Sequence, residues 1–147
     1  MASPDPSPEP YVPPDGELRA LLGEARTIAV VGLSPRPSRP SNQVAAYLQQ
    51  HGYRIVPVNP YVEEVLGERA YASLPDIPED VRIDVVDVFR RPEYTPEVAG
   101  QAVRIGARAL WLQADIVNDE ARRIAEEGGL EVVMGVCLRV EHRRLGV

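Results

Sequence analysis

The chain reads as a doubly wound α/β domain, a Rossmann-like parallel five-stranded sheet with helices on both faces. Three observations lead there. Short β-branched runs recur (TIAVV, YRIVPV, IDVVDVF, ALWLQ, EVVM), and most are continuously apolar, as strands covered on both faces must be. Between them lie stretches of about ten residues with apolar positions at helical spacing. Such alternation demands crossover connections, which run right-handed and lay helices on either side of a parallel sheet.

The elements follow in order. Residues 1–14 hold six prolines among small and acidic residues, which predicts a disordered or extended tail, with the domain spanning 15–147. Asp15 is placed to cap a first helix that carries Leu18, Leu21, Leu22 and Ala25 on one face. Thr27–Gly32 is the first strand. Ser41–His51 is the next helix, capped by Ser41, with Val44, Ala45, Tyr47 and Leu48 inward and Gly52 past its end. Tyr53–Val58 is the second strand, stopped by Asn59-Pro60.

Residues 61–82 are less regular, with a helical turn expected at Glu63–Leu66, a bend at Gly67 and a loop at Leu74–Pro78. Ile83–Phe89 is the third strand. Thr95 is expected to cap a helix with Pro96 at its first position, with Val98, Ala102, Val103 and Ile105 inward and Gly106 closing it. Ala109–Gln113 is the fourth strand. Asn118 caps Asp119–Glu127, which ends at Gly128-Gly129; Glu131–Met134 is the fifth strand and Leu138–Leu145 a short terminal helix.

Composition narrows the function. All sixteen basic residues are arginine, so a Walker lysine, a Schiff-base lysine and a lysine general base are excluded. A net charge of −6 argues against non-specific binding to nucleic acid or anionic membrane. No apolar run approaches the roughly 18 residues of a membrane span, and no signal peptide is read at the N-terminus. The single cysteine, Cys137, rules out an internal disulfide and fits a cytoplasmic setting.

In a doubly wound sheet the ligand sits beyond the C-terminal strand ends. The first such loop, Gly32–Ser41, carries Ser34, Arg36, Ser38 and Arg39 and leads into a helix N-terminus, which favours a phosphate. Prolines 35, 37 and 40 stiffen it. There is no G-x-G-x-x-G, and the second strand ends Val58-Asn59-Pro60 without the carboxylate that holds an NAD ribose. Asn59 is either a ribose ligand or a turn residue. Arg90 and Arg91, after Phe89, either clamp a phosphate or pair with nearby acids.

No catalytic constellation emerges, and no metal-ligand cluster. His51 ends a helix and suits its dipole. His142, within Glu141-His142-Arg143-Arg144, reads as part of a solvated face. Asp84 and Asp87 fall on opposite faces of their strand and form no acid–base pair. Cys137 reads as a buried free thiol more readily than a reactive one.

Taken together, TIAVVGLSPRPSRPS, YRIVPVNP, DVVDVFRRPE, ALWLQADIVNDEA and VVMGVCLRVEHRRL resemble, in order, the small stand-alone CoA-binding proteins. These are similar to the CoA-binding N-terminal domain of the succinyl-CoA synthetase α subunit. The resemblance covers about residues 26–145. It implies coenzyme A, or an acyl-CoA, at the C-terminal edge of the sheet, in a non-catalytic binding or regulatory module. By matching positions, Gly32, Ser34, Arg36 and Arg39 would meet the phosphates, beside the Ser41 cap. Val58, Asn59, Pro60, Phe89, Arg90 and Arg91 would line the nucleotide, with Gln113 and Ala114 nearer the pantetheine. The chain departs from the pattern at Gly135-Val136, where many members carry Asp-Arg. A small NAD(P)-dependent oxidoreductase and a partner-binding module that has lost its nucleotide are the competing readings. A homodimer is compatible with a domain of this size.

Overall fold

The computed structural model describes residues 9–147, so the first eight residues of the expected tail lie outside the described residues. Helices α1 (Asp15–Glu24), α2 (Pro40–Gln50), α3 (Thr95–Arg104), α4 (Asp119–Glu127) and α5 (Leu138–Leu145) alternate with strands. The strands are β1 (Thr27–Val31), β2 (Arg54–Val58), β3 (Glu64–Val65), β4 (Glu68–Arg69), β5 (Val85–Val88), β6 (Ala109–Leu112) and β7 (Glu131–Met134). Five of them form one parallel sheet in the order β2-β1-β5-β6-β7.

The apolar runs are continuous because alternate residues enter two different cores. Val30, Val85, Trp111 and Val133 pack under α1, α2 and α5, whereas Val31, Val86, Val88, Leu110 and Leu112 pack under α3 and α4. Trp111 is fully buried, and its Nε1 donates to the Val136 carbonyl at 2.8 Å. The chain leaves β1 for β2 on one side, then crosses back to β5 on the other. The C-terminal ends of β1 and β5 therefore open a crevice.

Four local expectations are overturned. Glu63–Leu66 is no helical turn: β3 and β4 form a hairpin, and Leu66 and Gly67 both take positive φ (53° and 78°), as a tight two-residue hairpin turn requires. Asp15 lies inside α1, and its carboxylate binds the Arg144 guanidinium at 2.9 and 3.1 Å instead of capping. Thr95 is preceded by a short 3₁₀ turn, Pro92–Tyr94, and its Oγ1 donates back to the Pro92 carbonyl. Ser41 is the second residue of α2, because Pro40 starts the helix; its Oγ accepts from the Ser34 amide at 3.0 Å.

The run Glu141–Arg144 is not a solvated face throughout. His142 is only 3% exposed, and its Nδ1 lies 2.9 Å from the Tyr47 hydroxyl of α2. Burial, helped by the nearby His51, holds this imidazole below the usual histidine range. Packing of α5 across α2 and α1 decided this, and a helical wheel of charged residues conceals it.

Residues 9–14 run extended. Tyr11 exchanges two 2.9 Å backbone hydrogen bonds with Met134 on the edge strand β7, and the Arg122 guanidinium lies 3.6 Å above its ring. This strap pairs an otherwise open sheet edge. Gly135 has φ +86°, and a Cβ there would lie 3.0 Å from Pro10 Cα. One of the two positions where the chain departs from the resembled pattern is thus the point over which the strap crosses.

Candidate functional site

The site is built where β1 and β5 diverge, and Gly32 is its hinge. The residue has φ +84°, and an added Cβ would meet the Phe89 carbonyl oxygen at 2.4 Å. Glycine is required on both counts: left-handed backbone, and close approach of the two strand ends. Its amide donates to the Val58 carbonyl at 2.9 Å, so the ends of β1, β2 and β5 are drawn to one point.

Two cavities meet at Gly32. One, of about 460 Å³, is lined by Gly32, Ser34, Arg36, Arg39, Pro40, Ser41 and Phe89. The other, of about 480 Å³, is lined by Val31, Gly32, Val58, Asn59, Pro60, Tyr61, Ala72, Ser73, Arg90, Tyr94, Glu97, Val98 and Gln101. The first faces the N-terminus of α2. Arg39 occupies the N-cap position with extended backbone (φ −81°, ψ 142°), no side chain caps the helix, and its first turn holds no acid. Pro40 has no N–H, and the Ser41 and Asn42 amides have no backbone acceptor among the described residues. Among the described residues Arg36, Arg39, Arg90 and Arg91 form no ion pair, so Arg36 and Arg39 bring positive charge to the first cavity.

The loop is held by its own polar groups. Ser34 Oγ accepts from the Arg36 amide at 3.1 Å, and Asn42 Nδ2 donates to the Ser34 carbonyl at 2.9 Å. Asn59 ties two loops together: Nδ2 donates to the Leu33 carbonyl at 2.9 Å and Oδ1 accepts from the Tyr61 amide at 2.8 Å. Both ends of the Asn59 amide are thus engaged in holding the turn, with one N–H of the amide still available to a ligand.

The residues singled out in the sequence separate into two groups. Gly32, Ser34, Arg36, Arg39, Ser41 and Phe89 surround the first cavity, and Gly32, Val58, Asn59, Pro60 and Arg90 the second. Arg91, Gln113 and Ala114 line neither. Arg91 is exposed beside Arg90, and Ala114 is exposed beyond β6. Gln113 is 4% exposed, and its Oε1 accepts from the Leu138 amide at the start of α5 at 3.1 Å.

Tyr61, Ser73, Tyr94, Glu97 and Gln101, which the sequence does not single out, also line the second cavity. Tyr94, Glu97, Val98 and Gln101 share one helical face at spacings of three and four, a signal the sequence does contain. Ser73 arrives only through the pairing of Tyr71 with Val58, which no local pattern announces.

Residues 26–143 match the model of a family described as CoA binding domain. The chain belongs to that family. The CoA binding domain is 43% identical over 130 residues to the uncharacterized protein YneT of Bacillus subtilis, covering 88% of this chain and 95% of that one. A solved structure, a hypothetical protein from Pyrococcus horikoshii, superposes with a TM-score of 0.87 at 44% identity, covering 91% of this chain and 93% of that one. The ADP-forming acetate–CoA ligase II of Archaeoglobus fulgidus is 29% identical over 118 residues, covering 79% of this chain. The domain spans only 17% of that ligase.

Among the described residues, no helix is long and apolar enough to cross a membrane.

Proposed function

We propose that the chain binds coenzyme A or an acyl-CoA at the C-terminal edge of its sheet, as a binding or regulatory module without catalysis of its own. The observation that carries this reading is the open N-terminus of α2. A helix that begins with an arginine, no capping side chain and no acid has its dipole opposed by its own sequence. A diphosphate placed there reverses the conflict, accepting from the Ser41 and Asn42 amides while Arg36 and Arg39 supply charge.

The second cavity, reached past Gly32, offers Val58, Pro60 and the exposed ring of Tyr61 to a nucleoside, with Arg90 in reach of a further phosphate. Gly32 suits this path because any side chain there would stand between the two cavities. The loop is phosphate-binding in character without the dinucleotide fingerprint, as a CoA ligand in the manner of the succinyl-CoA synthetase domain requires. Bound CoA would supply a thiol for carrying acyl groups; the protein contributes binding and orientation.

The test is a thermal-shift panel on the full chain with CoA, acetyl-CoA, NAD and NADP. A ligand at 100 times its Kd adds about 2.7 kcal/mol to the native state, which raises the melting temperature measurably. A shift with the CoA compounds supports the proposal. A shift with NADP alone overturns it in favour of an oxidoreductase, and no shift at millimolar CoA overturns it in favour of a partner-binding module.

A further inference from the structure

We propose that Glu97 and Gln101, on one face of α3, read the base of the bound nucleotide, so that the domain selects a 6-aminopurine over a 6-oxopurine. The inference rests on the CoA reading above and assigns to its second cavity the residues that set specificity.

The two cavities that meet at Gly32 differ in charge. The first is lined by Arg36 and Arg39 and by no acid. The second is lined by one arginine, Arg90, and one carboxylate, Glu97. The Arg90 guanidinium lies over the Tyr94 ring, 5.0 Å from its centroid. A phosphate belongs with the paired arginines, because a carboxylate repels it and accepts only from a donor. The rest of the second cavity is apolar at its floor, where Val31, Val58 and Val98 are each 5% exposed or less. An apolar floor with a polar wall suits a neutral, flat base whose edge is turned toward α3.

The other polar groups of this cavity are already engaged. The Ser73 hydroxyl donates to the Asp76 carboxylate at 2.8 Å, and the Asn59 amide holds Leu33 and Tyr61. Among the described residues, the side chains of Glu97 and Gln101 have neither a hydrogen bond nor an ion pair. Four positions apart on one helix, their Cβ atoms are neighbours at about 5–6 Å. The carboxylate only accepts, whereas the amide both accepts and donates. The edge of adenine is the complement of that pair. The Gln101 carbonyl accepts one N–H of the 6-amino group while its amide donates to N7, the bidentate pairing that suits adenine. The second N–H of the same amino group is left for Glu97. In hypoxanthine an oxygen replaces the amino group, so acceptor faces acceptor at both side chains. A site built to hydrogen-bond a substrate N–H rejects the analogue that lacks it.

The test is a calorimetric titration of the full chain with CoA and with its hypoxanthine analogue, in which oxygen replaces the 6-amino group. The wild type is expected to bind CoA about ten- to a hundredfold more tightly than the analogue. Gln101→Met, close in volume, should weaken CoA about tenfold and leave the analogue little changed. Glu97→Gln, whose amide can turn an N–H toward the oxygen, should strengthen the analogue and narrow the ratio. A purely structural role for either residue would move both ligands together. Equal affinities in the wild type, or a ratio unchanged in either variant, overturns this inference and leaves the CoA reading standing. Binding of neither compound overturns both.

Discussion

Helices α2 and α4 both follow a strand of the same sheet, and their N-termini are built in opposite ways. Asn118 caps α4, its Oδ1 accepting from the Ala121 amide at 2.8 Å, and Asp119 and Glu120 fill the first turn. The same asparagine donates to the Pro92 carbonyl at 3.0 Å, so the loop before α4 is closed onto its neighbour. α2 has an arginine at the N-cap, no capping side chain and no acid. One terminus is satisfied by the chain itself; the other is left electrostatically open. Helices α1, α3 and α5 also lack a capping side chain but carry an acid in the first turn, so α2 alone of the five has neither, and it is there that we propose the ligand binds.

The most damaging way to break the comparison is at the hinge. Gly32→Ala forces a left-handed backbone on a residue with a Cβ, costing about 1–2 kcal/mol, and drives that Cβ into the Phe89 carbonyl, adding about 1–3 kcal/mol. A urea-unfolding midpoint close to that of the wild type would show that the β1 and β5 ends are not held together as described.

The next effect comes from β5, between the strands that feed the two loops. Asp87 pairs in register with Val30 and Trp111, is wholly buried, and neither of its carboxylate oxygens has a partner among the described residues. Burial therefore pushes its pKa well above the ordinary aspartate value of 3.8. A raised folded-state pKa means that the native state keeps a proton the unfolded chain has lost. Its contribution is most favourable below the unfolded pKa and declines as pH rises, by up to about 1.4 kcal/mol per pH unit, until the folded pKa is passed. Asp87→Asn lacks this dependence. Stability measured by urea unfolding from pH 4 to pH 8 should favour the variant over the wild type increasingly with pH; a constant difference would refute the buried, protonated carboxyl.

The comparison is sharpened most directly at Arg39. Arg39→Asp supplies α2 with the cap that α4 already has, so the ligand-free protein should gain about 0.5–2 kcal/mol. The same change should weaken CoA by about ten- to a hundredfold, through loss of a charge-assisted contact and repulsion of the diphosphate. Stability and calorimetric affinity moving in opposite directions is the signature; a parallel loss would mean that Arg39 serves only the fold. The smallest effect is the converse. Asn118→Ala should cost about 1 kcal/mol of stability and leave CoA affinity unchanged.

Much of this was legible along the chain. The five strands of the main sheet, the helices after β1, β5, β6 and β7, and the Asn118 cap all follow from periodicity and turn chemistry. Local rules failed where two solutions satisfy them equally. Glu63–Leu66 can turn as a helix or fold back as a hairpin, and pairing with β4 decided it. His142 among charged residues looks solvated until α2 is laid against it. Gln113 was legible as a polar strand end and illegible as the anchor of α5, because its partner lies 25 residues on.

The amino-acid sequence alone determined the fold class and the absence of lysine chemistry. These depend on short-range patterns that hold for any neighbour. Only the tertiary structure decided that Gly32 lets the chain pass the Phe89 carbonyl, that Tyr61 and the face of α3 complete the second cavity, and that Tyr47 is bonded to both His51 and His142. Each of these is a meeting of residues distant in the chain, and their distances are set by how the helices pack on the sheet.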